Sequence, residues 1–162
     1  MSEQNLNRLL KNDRYQVFLF TCPATLPFSF SCHPWFVVNR RGVVSRWEVF
    51  WRPQEWEARW GHLHKDFYTP LQGIAKFLFT EKYLWGEGTL LGGIEGEENS
   101  LAARMAECIE NSPHTYPYCY TYSLPGPNSN TYVQWVLDQF PESGMQLPWN
   151  AFGKHAASSK YY

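Results

Sequence analysis

The sequence predicts a single α+β domain in which an antiparallel sheet packs against helices. Three patterns lead there. Two apolar, aromatic and β-branched runs, FSFSCHPWFVVN and VVSRWEVFWR, flank the polar quartet at residues 39–42 and read as a hairpin. Apolar residues recur at helical spacing in SLAARMAECIENS and again in TYVQWVLDQF. A composition of 44% hydrophobic and 18% aromatic residues over 162 positions is enough for one core and excludes a disordered chain.

Residues 1–14 read as a polar arm with at most one helical turn, and residues 15–162 as the domain. From Tyr15, YQVFLFTC has the pattern of a buried strand, ended by Pro23 and Pro27. In the hairpin, a two-residue turn at Arg40 and Arg41 would pair Asn39 with Gly42 and Val38 with Val43, which sets His33 opposite Glu48. A slip by an even number of residues loses that direct pairing but keeps the shared face. After Pro53 the chain reads as short strands and loops. The glycine-rich stretch 86–96, GEGTLLGGIEG, reads as turns. It lacks the glycine order and the Lys-Ser or Lys-Thr of a phosphate loop.

A helix over about 100–110 follows, capped by Ser100 or Asn99 and stopped by Pro113. YPYCYTYSL reads as an aromatic strand of period two, and PGPNSN breaks it. In the last helix Tyr132, Val136 and Phe140 form a stripe that Val133 and Leu137 widen, and Ser129 begins it one turn earlier. No Glu or Gln stands three places beyond Asn128 or Ser129, so a capping box is not expected there, whereas Gln134 stands three beyond Thr131. Pro141 ends the helix, and LPWNAFGKHAASSKYY reads as an irregular strap.

A formal charge of −1 forces no basic face on the molecule, so nucleic acid is not an expected partner. Cysteines at 22, 32, 108 and 119 form no CxxC pair, which argues against a zinc ribbon, a redox dithiol or a disulfide framework. The polar start MSEQNLNRLLKNDR and the lack of any long apolar window predict a cytoplasmic chain with no transmembrane segment. No cofactor is expected. His62 and His64 in GHLHK would need His114 or His155 to hold a metal, and ordinary surface histidines are the plainer reading. Arg40 and Arg41 at the hairpin tip suit an anion or a lipid headgroup, or simply solvent. With the many tryptophans, they leave peripheral membrane contact open.

The chemistry-bearing candidates are His33, Glu48 and Ser129. A carboxylate facing inward from a Trp- and Val-rich strand requires a bonded partner, and His33 on the same face supplies one. A nucleophile at a helix start would lie beside unpaired N–H groups that hold developing oxyanion charge. Each residue also has a plainer reading: Asn128 to Thr131 as helix-capping residues, and His33 as a strand histidine bonded to backbone. Cys32 should point away from the His33 face, and Cys119, just before PGPNSN, is the reserve nucleophile.

The segment GPNSNTYVQWVLDQFPESGMQLPWNAFGK at 126–154, with Tyr116-Pro117 before it and His33-Pro34-Trp35-Phe36 far upstream, closely resembles the bacterial family DUF3750 from about residue 15 onward. More distantly, a strand with His, a strand with a polar partner and a late helix opening Asn-Ser-Asn-Thr-Tyr looks like the circularly permuted NlpC/P60 papain-like group. That group includes PPPDE peptidases and lecithin:retinol acyltransferase-like proteins. The resemblance implies a cleft with His33 as base, Glu48 as its orienting group, and Ser129 where such proteins carry Cys; Asn128, Asn130 and Trp35 would line the cleft or serve the oxyanion. It implies a non-catalytic or catalytically altered cleft protein recognising a small molecule, peptide, acyl or lipid group. The alternative is a hydrolase or acyltransferase that cleaves an amide, thioester or ester through Ser129.

Overall fold

Alternation along the hairpin strands buries both faces of the central sheet, and the computed structural model, which describes residues 3–76 and 85–156, shows how. The chain runs α1 (Glu3–Leu9), β1 (Tyr15–Pro23), β2 (Cys32–Arg40), β3 (Val43–Trp56), β4 (Arg59–Lys65), β5 (Gln72–Ala75), β6 (Trp85–Glu87), β7 (Thr89–Gly96), α2 (Leu101–Glu110), α3 (Ser112–Thr115) and α4 (Ser129–Gln139). Five strands form an antiparallel sheet in the order β4-β3-β2-β1-β7, and β5 with β6 make a small second sheet. One face of the large sheet carries Val17, Leu19, Phe36, Val38, Trp47 and Val49. Met105 and Ile109 of α2 and Tyr132, Val133 and Val136 of α4 pack against them. The opposite face carries Phe18, Phe20, Trp35 and Val37, with Leu6 of α1 and Leu71 laid over them. The α+β expectation therefore holds, and the polar arm is a helix anchored by one buried leucine.

Several elements differ from the sequence reading. The hairpin turn falls on Arg41 and Gly42, both at positive φ (49° and 94°), because glycine at the second position adopts that conformation without a Cβ penalty. Asn39 pairs with Val44 and Phe36 with Trp47, a slip of two residues from the expected register. Residues 28–31 form a turn before β2 rather than its first half. The stretch 89–96, read as turns, is strand β7 on β1. Its glycines mark close packing: a Cβ on Gly93 would lie 2.7 Å from the Phe18 ring.

Residues 116–124, read as a strand, are turns and coil: the spacing of the buried Tyr116 and Cys119 is three, and in place of a ladder the Cys119 carbonyl accepts from His62 N of β4 at 2.6 Å while the Tyr122 ring packs on His62. The helix at Leu101–Glu110 is capped by the Ser100 side chain, as expected. After α4, residues 144–156 cross the body as an irregular strap that buries Met145, Leu147 and Ala151. Part of the expected loops after Pro53 and the end of the tail, at 77–84 and 157–162, lie outside the described residues.

Candidate functional site

The site forms where the sheet frays. The β2–β3 ladder ends at Phe36–Trp47, while β3 goes on to pair with β4, with an irregularity between Val49 and Gln54. This bulge contains Pro53, which has no N–H to give a ladder. Two rings from β4 meet its carbonyls instead: His62 Nδ1 lies 3.2 Å from Phe50 O, and His64 Nε2 lies 2.9 Å from Arg52 O. Burial drives the His64 pKa down to about 4, and His64 is neutral at pH 7. The two histidines expected either as surface residues or as a metal pair are thus buried plugs of a bulge. Among the described residues no group of three His, Cys, Asp or Glu side chains is arranged to hold a metal.

Beyond the bulge lies a cavity of about 740 Å³. Cys32, His33, Phe50, Trp51, Arg52 and Tyr68 line it, as do Asn128, Ser129 and Asn130 from the start of α4 and Phe152 from the strap. His33 and Ser129, almost a hundred positions apart in sequence, both line this cavity, His33 from the sheet face that carries Trp35 and Glu48 and Ser129 from the start of α4, which packs on the opposite face. The observed register, continued, sets Glu48 against Trp35 and one diagonal step from His33, so the even slip preserved the face. His33 Nε2 lies 2.8 Å from Glu48 Oε2. A carboxylate only accepts, so Nε2 carries the proton and Nδ1 is left as the basic nitrogen of the ring.

Sequence reasoning missed what holds Glu48. Arg46, two residues back on the same strand face, is fully buried with it. Its Nη2 donates to Glu48 Oε2 at 2.8 Å, and its Nε lies 2.7 Å from Oε1. Its Nη1 also donates to the carbonyls of Thr69 (2.8 Å) and Gln72, and its guanidinium stacks 4.1 Å over the Trp35 ring. Burial alone would raise the Glu48 carboxyl, but Arg46 beside it and the His33 hydrogen bond outweigh burial and hold it below its usual range. Trp35 is therefore not a cleft residue: it lies in the second core, its indole donating to Pro70 O at 2.8 Å, beneath Arg46. The available signal was a pair of charges at i and i+2 in VVSRWEVFW, both on one face of a buried strand.

The other half of the site is the start of α4. Asn128, not Ser129, is the N-cap: its Oδ1 accepts from Asn130 N (3.0 Å) and Thr131 N (3.3 Å), and Asn128 N donates to Thr131 Oγ1 at 2.9 Å. This capping box, unexpected from the sequence, uses Thr131 where Glu or Gln is usual. Backbone carbonyls of the strap hold the same residues: Asn130 Nδ2 donates to Phe152 O at 2.9 Å and Thr131 Oγ1 to Gly153 O at 2.6 Å. Asn128 and Asn130 line the cavity, but their amides serve the scaffold, and the Asn130 N–H expected as an oxyanion donor is occupied by the cap. Ser129 is the exception. It is 5% exposed, and neither its hydroxyl nor its N–H has a hydrogen-bond partner among the described residues. No hydrogen bond joins it to His33.

The remaining candidates separate cleanly. Cys32 lines the cavity, its thiol 3.4 Å from Asn130 Oδ1, and burial pushes its pKa up, away from thiolate chemistry. Cys119 is buried outside the cavity with its thiol toward the Ser112 and Tyr116 carbonyls, which removes it as the reserve nucleophile. No disulfide joins any of the four cysteines among the described residues. Arg40 and Arg41 are paired, with Glu110 (2.8 Å) and Glu98 (3.4 Å). Among the described residues no helix is long and apolar enough to cross a membrane.

Residues 15–156 match the model of a family described as protein of unknown function (DUF3750), and the chain belongs to that family. No curated protein and no solved structure matches the chain.

Proposed function

We propose that this member of the DUF3750 family is a catalytically altered papain-like cleft protein that binds an acyl compound and transfers or hydrolyses its acyl group through Ser129. A permuted NlpC/P60 arrangement accounts for the order of parts: base strand, partner strand, late nucleophile helix. The observation that carries the reading is the Ser129 hydroxyl, left free at the first helical position by the Asn128–Thr131 box and opening into the cavity that His33 lines.

The chemistry follows from the groups present. Ser129 Oγ attacks the acyl carbonyl carbon as its proton passes to His33 Nδ1. The Ser129 N–H and the positive end of α4 stabilise the oxyanion. Glu48, held ionised by Arg46, fixes the ring through Nε2 and offsets the imidazolium charge. Collapse of the tetrahedral species expels the leaving group, which takes the proton from His33. Water or an acceptor hydroxyl or amine then attacks the acyl-Ser129 ester by the same steps in reverse, regenerating the serine. Catalytic hydrogen bonds are often long in unliganded sites and shorten with substrate.

Non-catalytic recognition in the same cavity is the second reading, favoured by the missing Ser129–His33 hydrogen bond and by the occupied Asn130 N–H. A fluorophosphonate labelling assay separates the two. Catalysis predicts a single adduct at Ser129 that disappears in Ser129→Ala and forms about 10²-fold or more slowly in His33→Ala. Absence of any adduct on the folded protein across acyl and phosphonyl probes would leave the binding reading alone.

A further inference from the structure

We propose that the ligand of this cavity is an anionic amphiphile, an apolar chain bearing a carboxylate or phosphate that is separate from any ester, thioester or amide presented to Ser129, and that Arg52 is its charge contact. The role of that ligand as a substrate rests on the acyl-transfer reading above, whereas its binding does not. The wall is apolar over most of its extent, with Leu26, Phe28, Phe50, Ile74 and Leu124 among its residues, and its volume suits one small amphiphile. No Asp, Glu or Lys lines it, and Arg52 is its one permanent cation among the described residues. A cationic ligand would find no carboxylate among the described residues of that wall. An anion would be left unsolvated against these side chains unless a cation met it.

Arg52 differs from the other arginines near a surface carboxylate. Arg14, Arg40 and Arg41 are each engaged with one or more acids. Arg52 has no carboxylate partner among the described residues, and its guanidinium lies 5.4 Å from the Phe67 ring. It is exposed, yet its backbone is fixed, because the buried His64 ring bonds its carbonyl across the β3 bulge. Deeper in the same cavity, the unpartnered and largely buried Ser129 hydroxyl offers a polar contact to the acyl group. The cavity therefore combines an apolar wall with one polar point at the helix start and one cation at the bulge.

Isothermal titration of the full chain with decanoate, decyl phosphate, decanol and decyltrimethylammonium, each below its micelle concentration, tests this directly. At least one anion should bind about tenfold or more tightly than decanol, with the cation weakest. Arg52→Gln should bring the anions to within about twofold of decanol and leave decanol itself unchanged. Whichever of decanoate and decyl phosphate binds more tightly identifies the anionic group. Equal affinity for decanol and both anions, or an anion preference that survives in Arg52→Gln, would overturn the proposal. Ser129→Ala separates it from the acyl-transfer reading: that variant should lose labelling yet keep the anion preference, so either claim fails without the other.

Discussion

The two faces of the five-stranded sheet are drawn from the same strands by simple alternation, yet they bury different chemistry. Toward α2 and α4 the face is aliphatic and aromatic, and its packing follows from hydrophobic burial alone. The other face interrupts its apolar residues with Arg46, Glu48, His33 and His64, all buried. Burying an ion pair seldom adds stability over an apolar pair of the same volume. The difference teaches that the Arg46–Glu48 pair, unlike the apolar residues around it, is not what holds the sheet together and is better explained as what fixes the ring of His33.

Glu48→Ala is the harshest test of that contrast. It leaves Arg46 buried without its counter-ion and should cost about 3–5 kcal/mol in urea unfolding. Replacing both residues, as in Arg46→Met with Glu48→Met, should recover most of that loss while abolishing the adduct at Ser129. If labelling instead persists in the folded double variant, the pair has no bearing on His33 chemistry.

A smaller effect is expected with pH. His64 takes up a proton near 6.5 when unfolded but only near 4 when folded, so between these values the unfolded state binds more protons and stability falls as pH is lowered. Glu48 acts in the same direction at lower pH: its folded pKa is depressed, so the stability it confers above the unfolded value is lost as pH falls through the folded one. Equilibrium unfolding between pH 7 and 4 should show this slope, and His64→Gln should flatten the upper part. An unchanged slope in that variant would mean that the proton uptake belongs elsewhere.

The smallest effect lies where α4 begins and sharpens the contrast to two neighbouring residues. Asn128→Ala removes the cap and should lower stability by about 1 kcal/mol. Ser129→Ala breaks no hydrogen bond and should stay within about 0.5 kcal/mol of the parent. A Ser129→Ala loss as large as that of Asn128→Ala in thermal melts would show that the serine serves the helix after all.

Much of this architecture was legible in the sequence. The period of TYVQWVLDQF located α4, and parity placed His33 and Glu48 on one face although the turn was set one residue early, at Arg40 and Arg41. The decisive turn signal was Gly42, whose tolerance of positive φ outweighs the symmetry of two arginines. Strand β7 was hidden because its glycines resemble turn residues, whereas in the sheet Gly92, Gly93 and Gly96 make room for Met145, the Phe18 ring and Ser100, neighbours that only the fold supplies. Arg46 escaped notice for a similar reason: its partners at Thr69 and Gln72 come from a loop and the start of the four-residue strand β5, too short for a periodic pattern. The Thr131 arm of the capping box depends on backbone angles rather than on the usual Glu or Gln.

The strap carries a consequence for how this family can vary. Because the carbonyls of Phe152 and Gly153 reach back to Asn130 and Thr131, the path from the end of α4 to those two carbonyls works as a ruler of fixed length. Insertions there would be read out at the start of α4, whereas the same insertion at the Arg41–Gly42 tip would extend only a surface loop. Tolerance to length change should therefore be lopsided along the chain, scarce in the stretch of least regular structure.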